Sequence, residues 1–187
     1  IDRCIAYTKE HCPQFKNFIV CDTIEECVRD SDIMNFAVST PTGGSETYPW
    51  IEREWVKPGA LICTVGALNT SEDFIADPKT KLVVDNTKMY DTWAEEYPYP
   101  TFEKWFIFGS KFTDMIHDGK LSKDRMEDIG AIASGALPSR TSDDQIILYS
   151  IGGMPVEDVA WGKTIYERAL KMGIGTKLNL WEEPYLY

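Results

Sequence analysis

The apolar positions change their period along the chain, and the changes mark the elements. Ile1, Cys4, Ile5 and Thr8 follow helical spacing, so residues 1–12 read as the end of an amphipathic helix that stops near Pro13. Within 15–22, Phe18-Ile19-Val20-Cys21 is a short apolar run and predicts a buried strand. Thr23 followed by Glu26 has the form of a capping box and predicts a helix over 24–30. Residues 33–38, 60–65 and 81–85 are further apolar runs, each read as a strand, with a short helix predicted over 50–56 and closed by Lys57-Pro58-Gly59.

Strand and helix therefore alternate. The strands are continuous apolar runs, not alternating ones, the pattern of a parallel sheet covered on both faces, so the fold class is α/β, doubly wound. From Thr87 onward the pattern is mostly helical, with aromatic-rich helices predicted over 88–97 and 101–118 and a third over 123–134 ended by Gly135. Tyr90, Trp93, Tyr97, Phe102, Trp105, Phe106 and Phe108 supply the rings; a stretch of this kind serves a core or an interface more often than a cofactor. Residues 135–140 read as a loop, 146–151 as a strand stopping at Gly152-Gly153, and 156–172 as a long helix closed by Gly173. The chain opens inside a helical pattern with no capping signal, so it is expected to be the later part of a longer protein. Without the earlier strands, 18–22 would present an uncovered apolar edge, and folding should need the missing half.

The composition narrows the function. Hydrophobic residues make up 43% of the 187, enough for a packed core. The net charge of −11 argues against binding a phosphate backbone, because nucleic acid rewards a basic face. The five cysteines, Cys4, Cys12, Cys21, Cys27 and Cys63, form no C-x-x-C pair; among Ile, Val and Phe they read as small buried hydrophobes, as suits a reduced, cytoplasmic chain. No apolar run approaches the ~20 residues of a membrane span.

Candidate chemistry lies at strand ends, because ligands of open α/β sheets bind beyond the carboxyl ends of the strands. Ser39, Thr40 and Pro41 follow one strand, and Val65 and Gly66 another; Gly66 would let a flat ring approach the backbone, although both segments also read as ordinary turns. Gly152-Gly153 opens a helix and offers a ring or anion contact. The G-x-G-x-x-G phosphate loop does not occur in the sequence. His11 and His117 have no partner at ligand spacing, so no metal site is expected, and Asp22, Asp85, Asp143, Asp144 and Asp158 read mostly as helix caps.

Several segments together resemble the ornithine cyclodeaminase/mu-crystallin family. Val20-Cys21-Asp22-Thr23-Ile24-Glu25-Glu26, followed by Asp30-Ser31-Asp32-Ile33, looks like its third-strand and fourth-strand region. Glu54-Trp55-Val56-Lys57-Pro58-Gly59-Ala60 is similar to its E-W-[LV]-K-P-G segment. Asp128-Ile129-Gly130, Ser134-Gly135 and Arg140-Thr141-Ser142-Asp143-Asp144-Gln145-Ile146 resemble its D-[IL]-G…[SA]-G…G-R-T-S-D stretch, with Ser139 in place of Gly. Ser150-Ile151-Gly152 with Glu157-Asp158 resembles S-[VI]-G-x-x-x-[EQ]-D. Residues 152–162 look like a branch of the family often labelled as accessory to an amine oxidase acting on tyramine.

The resemblance implies a Rossmann-type NAD(P) domain and a second domain that dimerises and binds an amino or imino acid. Residues 1–150, including the helical segment 88–135, would be the later part of the first; 151–187 would return to the second. The glycine-rich loop and the Arg and Lys that hold the substrate carboxylate would lie on the missing N-terminal part. By carry-over, Asp22 and Thr23 would lie near the adenine, Ser39, Thr40 and Pro41 on one flank, Val65 and Gly66 under the nicotinamide, and Ser150 and Gly152 over the ring. One departure matters: the family's G-G-D-C-P-G-K supplies an Asp as catalytic acid/base, and here Leu68 stands in its place. Leucine moves no proton, which leaves Glu72 and Asp73 as loose candidates and favours imine or keto-acid reduction over ornithine cyclisation. The other function class is a catalytically silent nucleotide-binding or accessory protein.

Overall fold

The run Thr-Lys-Leu-Val-Val at 80–84 is buried at all five positions, as a strand must be when helices cover both faces of its sheet. In the computed structural model, which describes residues 1–39 and 42–178, it forms one of five parallel strands. These are β1 (Ile33–Phe36), β2 (Leu61–Thr64), β3 (Thr80–Val84), β4 (Met126–Asp128) and β5 (Ile146–Ser150), in the spatial order β1-β2-β5-β3-β4. The chain therefore inserts its last strand into the middle, where Leu148 faces Ile62 on one side and Leu82 on the other. All three are fully buried. The α/β class with a parallel sheet is as the apolar runs predict.

The helices are α1 (Asp2–His11), α2 (Ile24–Val28), α3 (Glu72–Ala76), α4 (Thr87–Glu96), α5 (Thr101–Lys104), α6 (Gly109–His117), α7 (Ile129–Ala133) and α8 (Pro155–Met172). Local chemistry sets their starts. Ser71 accepts the Phe74 amide at the head of α3, and Asn86 accepts the Lys88 amide at the head of α4. The Asp128 carboxylate, at the end of β4, also accepts the Thr87 amide at 2.6 Å and so pins α4 to the sheet. Tyr90, Phe102, Phe108 and Phe112 fill the core between these helices and the strands. Trp93, Tyr97, Trp105 and Phe106 form a ring cluster beside it, with Tyr97 stacked on Trp105 at 5.0 Å.

Several expectations are corrected. Phe18–Cys21 is not a buried strand: it pairs with no strand among the described residues, and Ile19 is 81% exposed. Only Arg53–Trp55 within 50–56 is helical, as one 3₁₀ turn. The predicted helix over 101–118 is broken at 105–108 into α5 and α6. That over 123–134 contains β4, whose three residues Met-Glu-Asp carry too little apolar signal to announce a strand. The cysteines are not uniformly buried: Cys4 and Cys27 are exposed, and Cys12, Cys21 and Cys63 are intermediate. For Cys4 the cause is that α1 buries none of its residues.

The chain divides into two compact units, Ile1–Gly152 and Gly153–Tyr187. In the second, α8 begins with Pro155 at its first turn and ends at Gly173, whose φ of +63° is the left-handed cap glycine accepts at little cost. Among the described residues no helix is long and apolar enough to cross a membrane.

Candidate functional site

Because all the strands run the same way, their carboxyl ends share one edge of the sheet. Hydrogen bonds just past those ends join them into a rim. The Val65 amide donates to the Phe36 carbonyl at 3.0 Å, and the Ile151 amide to the Thr64 carbonyl at 2.8 Å. The Gly152 amide donates to the Asp85 carboxylate at 2.8 Å. The rim thus runs Val38–Ser39, Val65–Gly66, Ser150–Gly152, Asp85. Val38 and Val65 are 41% and 45% exposed, an apolar surface at the place where such sheets bind flat rings.

Both rim glycines are fixed by packing within the protein. A Cβ on Gly66 would stand 2.5 Å from the Val38 carbonyl oxygen, so the two strand-end turns touch backbone to backbone. A Cβ on Gly152 would stand 2.3 Å from the Trp93 ring. Open access for a ring, expected of Gly66 from the sequence, is therefore not what first demands glycine there. Ser150 is fully buried and its hydroxyl points inward. Its Oγ accepts the Gly109 amide at 2.7 Å and lies 3.1 Å from the Tyr90 hydroxyl, which donates to Ser150. Burial, followed by the charge of Asp85, pushes the ionisation of the Tyr90 phenol far above its ordinary value, so it stays a hydrogen-bond donor. The serine hydroxyl is therefore turned away from the rim, and the Ile151 and Gly152 amides are already donated to Thr64 and Asp85.

Asp22 and Thr23 stand at the head of α2. The Thr23 hydroxyl accepts the Glu26 amide at 3.1 Å, while the Glu26 carboxylate reaches the Asp22 amide at 3.0 Å, one residue earlier than a strict capping box. They line an open groove of about 470 Å³ with Ile1, Phe18 and Val20. Ile24 and Cys27 also line a second groove of about 300 Å³ that reaches Val38, so an apolar path leads from Asp22 to the rim. Ser39 follows Val38 in the chain and is exposed; Thr40 and Pro41 lie outside the described residues.

Leu68, which the resemblance sets in the place of the family's acid, is fully buried. Glu72 and Asp73 occupy the first turn of α3, where negative charge suits the helix dipole, and both are exposed. Glu72 pairs with Lys120 at 2.9 Å and lines a separate cleft of about 240 Å³ with Lys111, Glu103 and Asp114. Sequence reasoning missed Lys111. Its ammonium donates to Asn69 Oδ1 at 2.6 Å and to the Thr70 carbonyl, and lies over the Trp50 and Phe102 rings. Burial lowers its pKa, and its bonds hold the turn that follows Leu68. No spacing signal in the sequence pairs Lys111 with Asn69.

Known proteins share this fold. The chain is 28% identical over 166 residues to N-((2S)-2-amino-2-carboxyethyl)-L-glutamate dehydrogenase of Staphylococcus aureus, covering 88% of this chain and 43% of that protein. The Δ1-pyrroline-2-carboxylate reductase of Thermococcus litoralis, solved with NADH and L-proline, superposes with a TM-score of 0.60 at 22% identity over 84% of this chain and 44% of that one. The iminosuccinate reductase of Paracoccus denitrificans, solved with NAD+, gives 0.66 at 14% identity over 96% and 48%. The chain thus spans less than half the length of these proteins. The model of the ornithine cyclodeaminase/mu-crystallin family matches residues 1–173, and the chain belongs to that family.

Proposed function

We propose that the protein containing this chain is an NAD(P)-dependent oxidoreductase of amino or imino acids that reduces an imine or keto acid in preference to cyclising ornithine. The observation that carries the preference is Leu68: it stands in the place of the family's acid/base and its side chain is fully buried. Cyclisation with loss of ammonia needs a proton donor and acceptor beside the substrate nitrogen. Reduction of a preformed imine needs mainly a hydride, which the reduced nicotinamide supplies when bound, and a proton taken up by nitrogen. The relatives named as dehydrogenase and reductases support the same class of chemistry.

The rim suits a dinucleotide. Val38 and Val65 offer exposed apolar surface, and the grooves toward Asp22 are apolar and open. In this reading Asp22 and Thr23 lie on the adenine side, Ser39, with Thr40 and Pro41, on one flank, and Val65, Gly66, Ser150 and Gly152 on the nicotinamide side. Residues 1–150 are the later part of the cofactor domain, and 151–187 belong with a substrate and dimerisation domain.

The remainder of the protein would supply the glycine-rich loop, the substrate-holding cations and a neighbour for β1, whose Ile33 is 70% exposed at the sheet edge. A second reading, a catalytically silent dinucleotide-binding protein or an accessory to an amine oxidase, is favoured by the same buried Leu68. Consumption of reduced cofactor by the full-length protein, over a panel of keto acids, amines and cyclic imines, separates the two. Turnover of any member supports the enzyme; binding without turnover supports the accessory role.

A further inference from the structure

We propose that Asp85 sets the redox preference of the bound dinucleotide, its carboxylate favouring the oxidised, cationic nicotinamide over the neutral reduced one. The inference rests on the reading that the rim holds the nicotinamide. Asp85 follows β3 directly and is only 5% exposed. Its Oδ2 accepts the Gly152 amide at 2.8 Å, so the carboxylate stands against the turn assigned to the ring. On its inner side the carboxylate also meets the buried Tyr90 phenol, so it stands at the base of the turn.

Water screens such a charge poorly at this depth, and a charge that feels a phenol must also feel a pyridinium beside it. Asp85 is not the cap of α4, a role taken by Asn86. A site that prefers the oxidised ring makes the bound reduced cofactor a stronger hydride donor, which suits reduction of a C=N or C=O bond. With the cofactor bound, its hydride would pass to the substrate carbon, leaving the ring positively charged, and the substrate nitrogen or oxygen would take a proton from the medium.

The test is a titration of the full-length protein with NAD+ and NADH, and with NADP+ and NADPH, for wild type and Asp85→Asn. Asparagine keeps an acceptor for the Gly152 amide and removes the charge. The ratio of Kd for the oxidised form to Kd for the reduced form should rise roughly four- to sixteen-fold, the span a unit charge gives at ~10 Å for effective dielectric constants of about 40 to 20. Asp85→Ser, smaller and also neutral, should move the ratio the same way, which keeps the test usable if Asp85→Asn folds poorly. Equal weakening of both forms, or an unchanged ratio, overturns the inference while leaving the crevice reading standing. Failure of the wild type to bind either form overturns the crevice reading, and the inference with it.

Discussion

Gly66 and Val38 meet backbone to backbone: a Cβ on Gly66 would lie 2.5 Å from the Val38 carbonyl oxygen. The obstacle is main chain just past the end of β1, not a side chain that can swing away. Gly66→Ala should therefore cost about 1–3 kcal/mol of stability, as overpacking does. It should lower the unfolding midpoint of the cofactor-free protein. Loss of cofactor affinity at unchanged stability would instead show that a ring, and not Val38, demands the glycine.

Ser150 and Tyr90 make a second test of the same rim. Ser150→Ala leaves the buried Gly109 amide without its acceptor and should cost about 1–3 kcal/mol, whereas Tyr90→Phe removes one ordinary hydrogen bond and should cost about 0.5–1.5 kcal/mol. Denaturant unfolding should rank them in that order. The reverse order would mean that the tyrosine hydroxyl, and not the serine, organises the turn.

Lys81 carries its ammonium away from the rim, where it pairs with Glu127 at 2.6 Å and donates to the Pro138 carbonyl at 2.9 Å. Its side chain is 4% exposed and that of Glu127 25%. Lys81→Met should destabilise by about 3 kcal/mol, since it strands a largely buried carboxylate. Adding Glu127→Gln should return a substantial part of the loss. A neutral Lys81→Met variant would show that the pair adds nothing to stability.

Asp144 gives the pH dependence. The Ser142 hydroxyl and then Lys79 hold its carboxyl down to about 2, below its ordinary value. A depressed carboxylate contributes stability that is complete above its unfolded pKa of ~3.9 and is lost as pH falls through the folded value. Stability should therefore decline between about pH 4 and pH 2, and Asp144→Asn should flatten that decline. An unchanged acid limb in the variant would show that the Lys79 contact does not persist in solution.

The fold was legible where apolar residues run together. Leu61–Cys63 of β2, Leu82–Val84 of β3 and Ile146–Tyr149 of β5 are such runs, and helices α4 and α8 carry their own stop or start signals in Asn86, Pro155 and Gly173. It was not legible where tertiary pairing supplies the order. Met126–Asp128 becomes a strand because β3 lies beside it, and Phe18–Cys21 stays outside the sheet although its composition is that of a strand. At the site, sequence reasoning picked out the strand-end turns, but it could not see that Ser150 turns inward, that Gly152 makes room for Trp93, or that Asp85 bonds to Gly152 across 67 positions of chain. These depend on the sheet order β2-β5-β3, which no local pattern encodes.

The most direct test of the central claim incubates the full-length protein with ornithine and NAD+, and follows release of ammonia and proline beside consumption of NADH with cyclic imines and keto acids. The expected result is NADH consumption with at least one imine or keto acid, and ammonia release from ornithine that is absent or very slow, because Leu68 is buried and carries no proton. Rapid ammonia release from ornithine would contradict the claim, and would mean that another residue does the work of the missing aspartate.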